Sequence, residues 1–264
     1  MTVARIDVPL IDIHTHVGHL PGVLGDYYSA DDLRYVVEHE GVRFALTSSA
    51  STAAISEAYG LAEAIDMVQR HGERLGGMFW LNPRDPDWRE HAAAAKRHGF
   101  YGIKIHPVLD NYEVDRSALD AVFACARQYA WPILTHTGVD GTPTSAIRYQ
   151  PLIAAFPDVA LILAHLRVEA IPLAKRYDQV YLDTTYVDPM MVEIGVDALG
   201  PDKLLFGSDA CEGFEVGRVP GRVRPARSYA GLIQGMRERG VSDAALEKIL
   251  YLNAVRVFGL TQFG

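Results

Sequence analysis

Leu10-Ile11-Asp12-Ile13-His14-Thr15-His16 is an apolar run that ends in two histidines, two residues apart. Read as a strand over Leu10–Thr15, it presents alternate side chains on one face, so Asp12, His14 and His16 are expected to point together. The pattern recurs outward from this segment. Mostly continuous apolar runs stand at Phe44–Ser48, Gly77–Leu81, Gly102–Ile105, Ile133–Thr135, Ala160–Ala164, Val180–Asp183 and Leu204–Gly207. Such runs suit parallel strands that are covered on both faces.

Helical stretches separate them: Ala30–Glu40, Ala53–His71, Trp88–His98, Ser117–Tyr129, Ala146–Phe156, Val168–Arg176 and Pro189–Leu199, with a last pair at Arg227–Arg239 and Asp243–Phe258. Ser29 with Asp32, and Ser242 before Asp243, read as helix starts. Gly41, Gly99, Gly200 and Gly240 read as helix ends. Eight strand–helix units in about 250 residues are the arithmetic of a (β/α)₈ barrel. The expected fold is therefore α/β, a TIM barrel with an extra C-terminal helix, in one domain over residues 1–264. A doubly wound open sheet is the competing architecture, but no glycine-rich phosphate fingerprint follows the first strand.

Composition narrows the function classes. The 264 residues carry 25 Lys and Arg against 33 Asp and Glu, a net charge of −8, and 49% are apolar. The acidity argues against a nucleic-acid or anionic-membrane partner, which calls for basic patches. No apolar run approaches the ~20 residues that span a bilayer. The two cysteines, Cys125 and Cys211, make no disulfide framework, and no signal peptide is evident, so a cytoplasmic location is expected. A homo-oligomer is compatible with everything in the sequence.

Other strand ends carry chemistry too: His136 in Thr135-His136-Thr137-Gly138, His165 in Ala164-His165-Leu166-Arg167, and Asp209 in Gly207-Ser208-Asp209. In a barrel these ends converge on one mouth. His14, His16, His136, His165 and Asp209 can then meet, and such N/O ligands suit zinc as well as manganese or iron. Each alone reads as a capping or core residue, but five together at strand ends point to a divalent metal, with zinc expected.

The segments Asp12–His16, Gly102–Pro107, Thr135–Gly138, Leu163–Leu166, Leu205–Asp209 and Ile249–Leu260 resemble the amidohydrolase superfamily. Their wording is similar to the branch that holds aminocarboxymuconate-semialdehyde decarboxylase and related lactone hydrolases. The resemblance implies His14, His16 and His136 as metal ligands, Asp209 as ligand or general base, and His165 as a second ligand or a proton-transfer residue. Some superfamily members also carry a carboxylated lysine between two metals. Lys104, aimed inward with His106 by strand alternation, can be that group, a free ammonium for a substrate carboxylate, or an ion-pair partner of Asp12. A free Lys104 with one metal is expected, because an ammonium repels a second cation.

Arg167 sits just past His165, where it can fork onto a carboxylate. Trp80 ends a strand and can line the pocket or belong to the core. Arg218, Arg222, Arg224 and Arg227 crowd one loop, as a solvated run or an anion trap. Cys125 reads as packing, and Cys211 lacks a neighbouring base. His39, His71, His91 and His98 read as solvated. The function expected is metal-dependent hydrolysis of a C–N or C–O bond in a small, carboxylated and so anionic substrate, by metal-activated water. The alternative is metal-dependent, non-oxidative decarboxylation of an aromatic or muconate-type acid. A non-catalytic binding barrel is the third reading.

Overall fold

The computed structural model describes residues 9–20, 27–210 and 229–263. Among them nine strands form one curled sheet in the order β2-β1-β3-β4-β5-β6-β7-β8-β9. The strands are β1 (Ile11–His19), β2 (Tyr27–Tyr28), β3 (Phe44–Ser49), β4 (Leu75–Trp80), β5 (Gly102–Ile105), β6 (Ile133–Thr135), β7 (Leu161–Leu163), β8 (Val180–Asp183) and β9 (Leu204–Leu205). Every pairing from β1 through β3 to β9 is parallel, and only β2 runs antiparallel, against the end of β1. The chain after β9 returns to β1. Ile13 N–H donates to the Phe206 carbonyl at 3.0 Å, Asp209 N–H to that of His14 at 2.8 Å, and His16 N–H to that of Ala210 at 2.5 Å.

Two apolar layers follow from strand alternation. Ile103 and Ile105 of β5, Leu161 and Leu163 of β7, and Val180 and Leu182 of β8 pack outward against the helices. Ile11, Ile13, Leu46, Met78, Leu134, Ile162 and Leu205 form an inner layer, and Ala254, Phe258 and Leu260 of the C-terminal stretch pack onto it. Ser29 makes the expected capping box, its Oγ accepting from Asp32 N–H at 3.1 Å while its own N–H donates to the Asp32 carboxylate at 3.0 Å. Ser242 caps the helix Asp243–Glu247 with a single bond, accepting from Ala245 N–H at 3.2 Å.

The differences from expectation are local. The strand β2 was not foreseen, because two residues carry no pattern. The helix expected over Ala53–His71 is two, Ser51–Ala54 and Glu57–His71, because Ser56 takes an extended conformation and caps the second by accepting from Tyr59 N–H. Ala146–Phe156 and Val168–Arg176 each begin as a 3₁₀ turn before Pro151 and Pro172, which enter the α-helical first turns without an N–H to satisfy. The last helical stretch contains a π turn at Lys248–Leu252. His71 is buried and 2.9 Å from Asp31, and His91 is half-buried and bonds Glu57 at 2.9 Å, so neither is a freely solvated side chain. No helix among the described residues is long and apolar enough to cross a membrane. Cys125 packs against the core, and burial pushes its thiol up to about 11, which leaves it inert.

A candidate metal centre at the strand ends

The register of β1 slips between Asp12 and Thr15, where two residues of β1, Ile13 and His14, oppose one of β3, Leu46. The extra residue is a bulge, a device that re-aims side chains. Ile13 joins the inner apolar layer, and His14 and His16 line the cavity above it. Asp12 is turned away. Its carboxylate accepts from Ser208 Oγ at 2.5 Å and from Tyr229 Oη at 2.6 Å, tying β1 to the helix Tyr229–Glu238. The expectation that Asp12 shares a face with the two histidines, or pairs with Lys104, is therefore corrected by the bulge. Burial raises the Asp12 carboxyl to about 7, although these bonds oppose the shift.

His14 is fixed from behind. Its Nδ1 lies 2.7 Å from Asp183 Oδ2 and 3.0 Å from Thr185 Oγ1. The other Asp183 oxygen accepts from His165 N–H at 2.8 Å and Thr185 N–H at 3.0 Å. Burial alone would raise Asp183, but His14 and these donors hold it down at about 2. An ionised Asp183 keeps the proton of His14 on Nδ1 and leaves the Nε2 lone pair facing the cavity. His16 Nδ1 is likewise engaged, 3.0 Å from Ser48 Oγ. The two Nε2 atoms converge on Asp209 Oδ1, at 3.4 Å from His14 and 3.0 Å from His16. Gly207 makes this approach possible, since a Cβ there would stand 2.8 Å from that of His14.

Asp209 has φ 67° and His165 has φ 75°, both in the left-handed region that costs a non-glycine residue about 1–3 kcal/mol. That strain sits at the two strand ends that bear the acid and the proton-transfer candidate. Burial would raise the Asp209 carboxyl, but His14, His16 and Lys104 hold it well below the usual range. His165 Nε2 lies 3.0 Å from His136 Nδ1. Burial lowers His165 to about 4 and His136 to about 3, so both are neutral near pH 7. His106 stacks between Trp80 and His136, with centroids 5.7 Å and 4.1 Å away, and Trp80 Nε1–H donates to Asp110 at 3.0 Å. Lys104 is fully buried, with Nζ 2.5 Å from His14 Nε2. Together these groups line a cavity of about 110 Å³.

The structure thus gathers His14, His16, Trp80, Lys104, His106, His136, His165 and Asp209 around one cavity. Arg167 does not line it, and its Nε is buried with no hydrogen-bond partner among the described residues. Cys211 and Arg218, Arg222, Arg224 and Arg227 lie outside the described residues. Asp183 escaped the sequence reading, although it ends β8 as the histidines end their strands. A carboxylate at a strand end was the available signal.

The donor set fits a divalent cation. His14 Nε2, His16 Nε2 and an Asp209 oxygen lie within 4.8 Å of one another, and both imidazoles have their second nitrogen already bonded. His136 stands across the cavity, bonded to His165 and not within that close group. A second group, Glu57, Asp85 and His91, is satisfied without an ion, since Glu57 accepts from Asn82 N–H at 2.6 Å and pairs with His91.

The amidohydrolase family model matches residues 11–260, nearly the whole chain. The chain belongs to the amidohydrolase family. Among solved structures, this amidohydrolase resembles 5-carboxyvanillate decarboxylase from Novosphingobium aromaticivorans, complexed with manganese and 4-hydroxy-3-methoxy-5-nitrobenzoic acid, at TM-score 0.72 and 15% identity over 96% of each chain. It also resembles 2,6-dihydroxybenzoate decarboxylase from Rhizobium, at TM-score 0.71 and 15% identity over 96% of this chain and 99% of that one. A probable 2-pyrone-4,6-dicarboxylic acid hydrolase from Acinetobacter baumannii, with citric acid bound, aligns at TM-score 0.68 and 12% identity over 95% and 99%. At such identities the likeness establishes the fold. No curated protein matches the sequence.

Asp183 offers a test that does not depend on the reaction. In Asp183→Asn the single oxygen serves the backbone donors of His165 and Thr185, and the amide nitrogen meets His14 Nδ1. That moves the His14 proton to Nε2, where a bound metal would need a lone pair. Metal affinity is expected to fall about 10–100-fold, the usual cost of losing such a support, with an unchanged circular dichroism spectrum. Titration against a fluorescent chelator measures it.

Proposed function

We propose that this amidohydrolase is a metal-dependent lyase that removes CO₂ from a small aromatic or related unsaturated carboxylic acid. The observation that carries the reading is the fully buried Lys104 at the wall of a small cavity that it shares with five histidines, where Asp209 is the one carboxylate among the described lining residues and would be taken up by the cation. Such a site favours an anionic group and excludes water around it. The solved structures named above include two decarboxylases of aromatic acids, which supports the choice. The seam between β1 and Phe206–Ala210 is read as the closure of a (β/α)₈ barrel, with the site at its C-terminal mouth.

His14, His16 and Asp209 would hold the cation, with His136 as the fourth ligand. When bound, it would act as a Lewis acid that draws electron density from the reacting group. Lys104 binds a substrate carboxylate and Trp80 and His106 form the wall beside it. As the C–C bond to the carboxylate breaks, its electron pair stays on the substrate carbon and CO₂ departs. His165, paired with His136, relays to this carbon a proton that its free lone pair takes from solvent, and so returns to the neutral form.

Hydrolysis is the second reading, and Asp209 favours it. Its carboxylate stays ionised beside His14, His16 and Lys104, so in that reading its oxygens take a proton from an attacking water. Manganese-loaded protein, incubated in H₂¹⁸O with hydroxybenzoates carrying a ¹³C carboxyl group and with aromatic lactones and amides, separates the two. Release of ¹³CO₂ is the expected result. Incorporation of ¹⁸O into a cleaved lactone or amide, with no ¹³CO₂, would replace the lyase reading with the hydrolase one.

A further inference from the structure

One contact at the site conflicts with simple metal binding. Lys104 Nζ lies 2.5 Å from His14 Nε2, and the only acceptor an imidazole offers there is its lone pair, because Nδ1 carries the proton given to Asp183. A metal bound through His14 Nε2 needs that same lone pair. The ammonium and the metal ion therefore compete for one electron pair, and they repel each other as cations at short range. Lys104 cannot withdraw into solvent, since it is fully buried. No carboxylate lies within salt-bridge distance of its Nζ among the described residues; Asp209, Asp183 and Asp110 act on it only from farther away. Lys104 already lines the cavity in which a substrate would sit.

We propose that Lys104 occupies the metal's place on His14 in the metal-free protein and is displaced into the substrate cavity when the metal binds. Lys104 thereby lowers metal affinity, restricts the site to one ion, and becomes free to meet a substrate carboxylate only after loading. Metal and anion then assist each other's binding, by the reciprocity of linked equilibria. The inference rests on the reading of His14 as a ligand.

The test is Mn²⁺ affinity, measured by electron paramagnetic resonance of free Mn²⁺, for the wild type, Lys104→Met, Lys104→Gln and His14→Ala. Removing a like charge at such range shifts an equilibrium by at least about tenfold, so both Lys104 variants are expected to bind Mn²⁺ at least about tenfold more tightly. Equal or weaker binding in the variants overturns the inference, as does a second ion in the wild type. A wild-type crystal structure with Mn²⁺ bound provides an independent reading that needs no variant to fold. Lys104 Nζ is expected beyond about 3.5 Å from His14 Nε2, out of hydrogen-bond reach. A retained contact, or a carboxylated Lys104 bridging two ions, would contradict it. The two readings fail separately. If the wild type binds Mn²⁺ no better than His14→Ala, the ligand assignment falls. If His14→Ala abolishes binding while the Lys104 variants match the wild type, only the competition falls.

Discussion

Replacing both His14 and His16 with alanine is expected to remove the divalent metal and the activity together, and to leave the fold. Each imidazole presents Nε2 to Asp209 and has its Nδ1 anchored, His14 on Asp183 and His16 on Ser48. Loss of a support behind a ligand costs about 10–100-fold in affinity, so loss of two ligands should exceed about 100-fold. The fold survives because the apolar inner layer, from Ile11 and Ile13 to Leu205, lies apart from the cavity. Asp183 does not become an orphan either, since it keeps the backbone donors of His165 and Thr185. Metal content by inductively coupled plasma analysis after gel filtration, beside a circular dichroism melt, checks both halves. Full metal occupancy in the folded double variant would remove these residues from the centre.

The second large effect is expected at Asp209. Asp209→Asn keeps the shape and tolerates φ 67°, because asparagine enters the left-handed region as readily as aspartate. What changes is the charge. The carboxylate that balances His14, His16 and Lys104 is gone, and an amide cannot replace it as ligand or base. Turnover is expected to fall by at least about 10²-fold, the scale of lost acid–base catalysis, with a smaller change in KM. The measurement is steady-state kinetics at saturating Mn²⁺, to separate weakened loading from a slower reaction. Near-normal kcat would show that Asp209 is a bystander.

The sequence shows most of the architecture, because buried parallel strands are written as apolar runs. Gly102–Ile105, Ile133–Thr135 and Val180–Asp183 match their strands residue for residue. The site residues at strand ends are legible for the same reason: His14, His16, Lys104, His106, His136, His165 and Asp209 all meet at one cavity. What the sequence hides is register. A bulge in β1 leaves no compositional mark, yet it sends Asp12 to Tyr229 and away from the histidines. Support across the sheet is hidden too. Asp183 and His14 are 169 residues apart, and only the curl of the sheet brings them to 2.7 Å. The Lys104–His14 contact, across 90 residues, is of the same kind.

The central claim is that one divalent cation sits among His14, His16 and Asp209 at the strand ends. An anomalous difference map from a crystal of the manganese-loaded protein tests it most directly. The account predicts a single peak per chain, at about 2.0–2.2 Å from His14 Nε2, His16 Nε2 and an Asp209 oxygen, as ligands of these types bind first-row cations. No peak among those three side chains, or a pair of peaks bridged through Lys104, would contradict it.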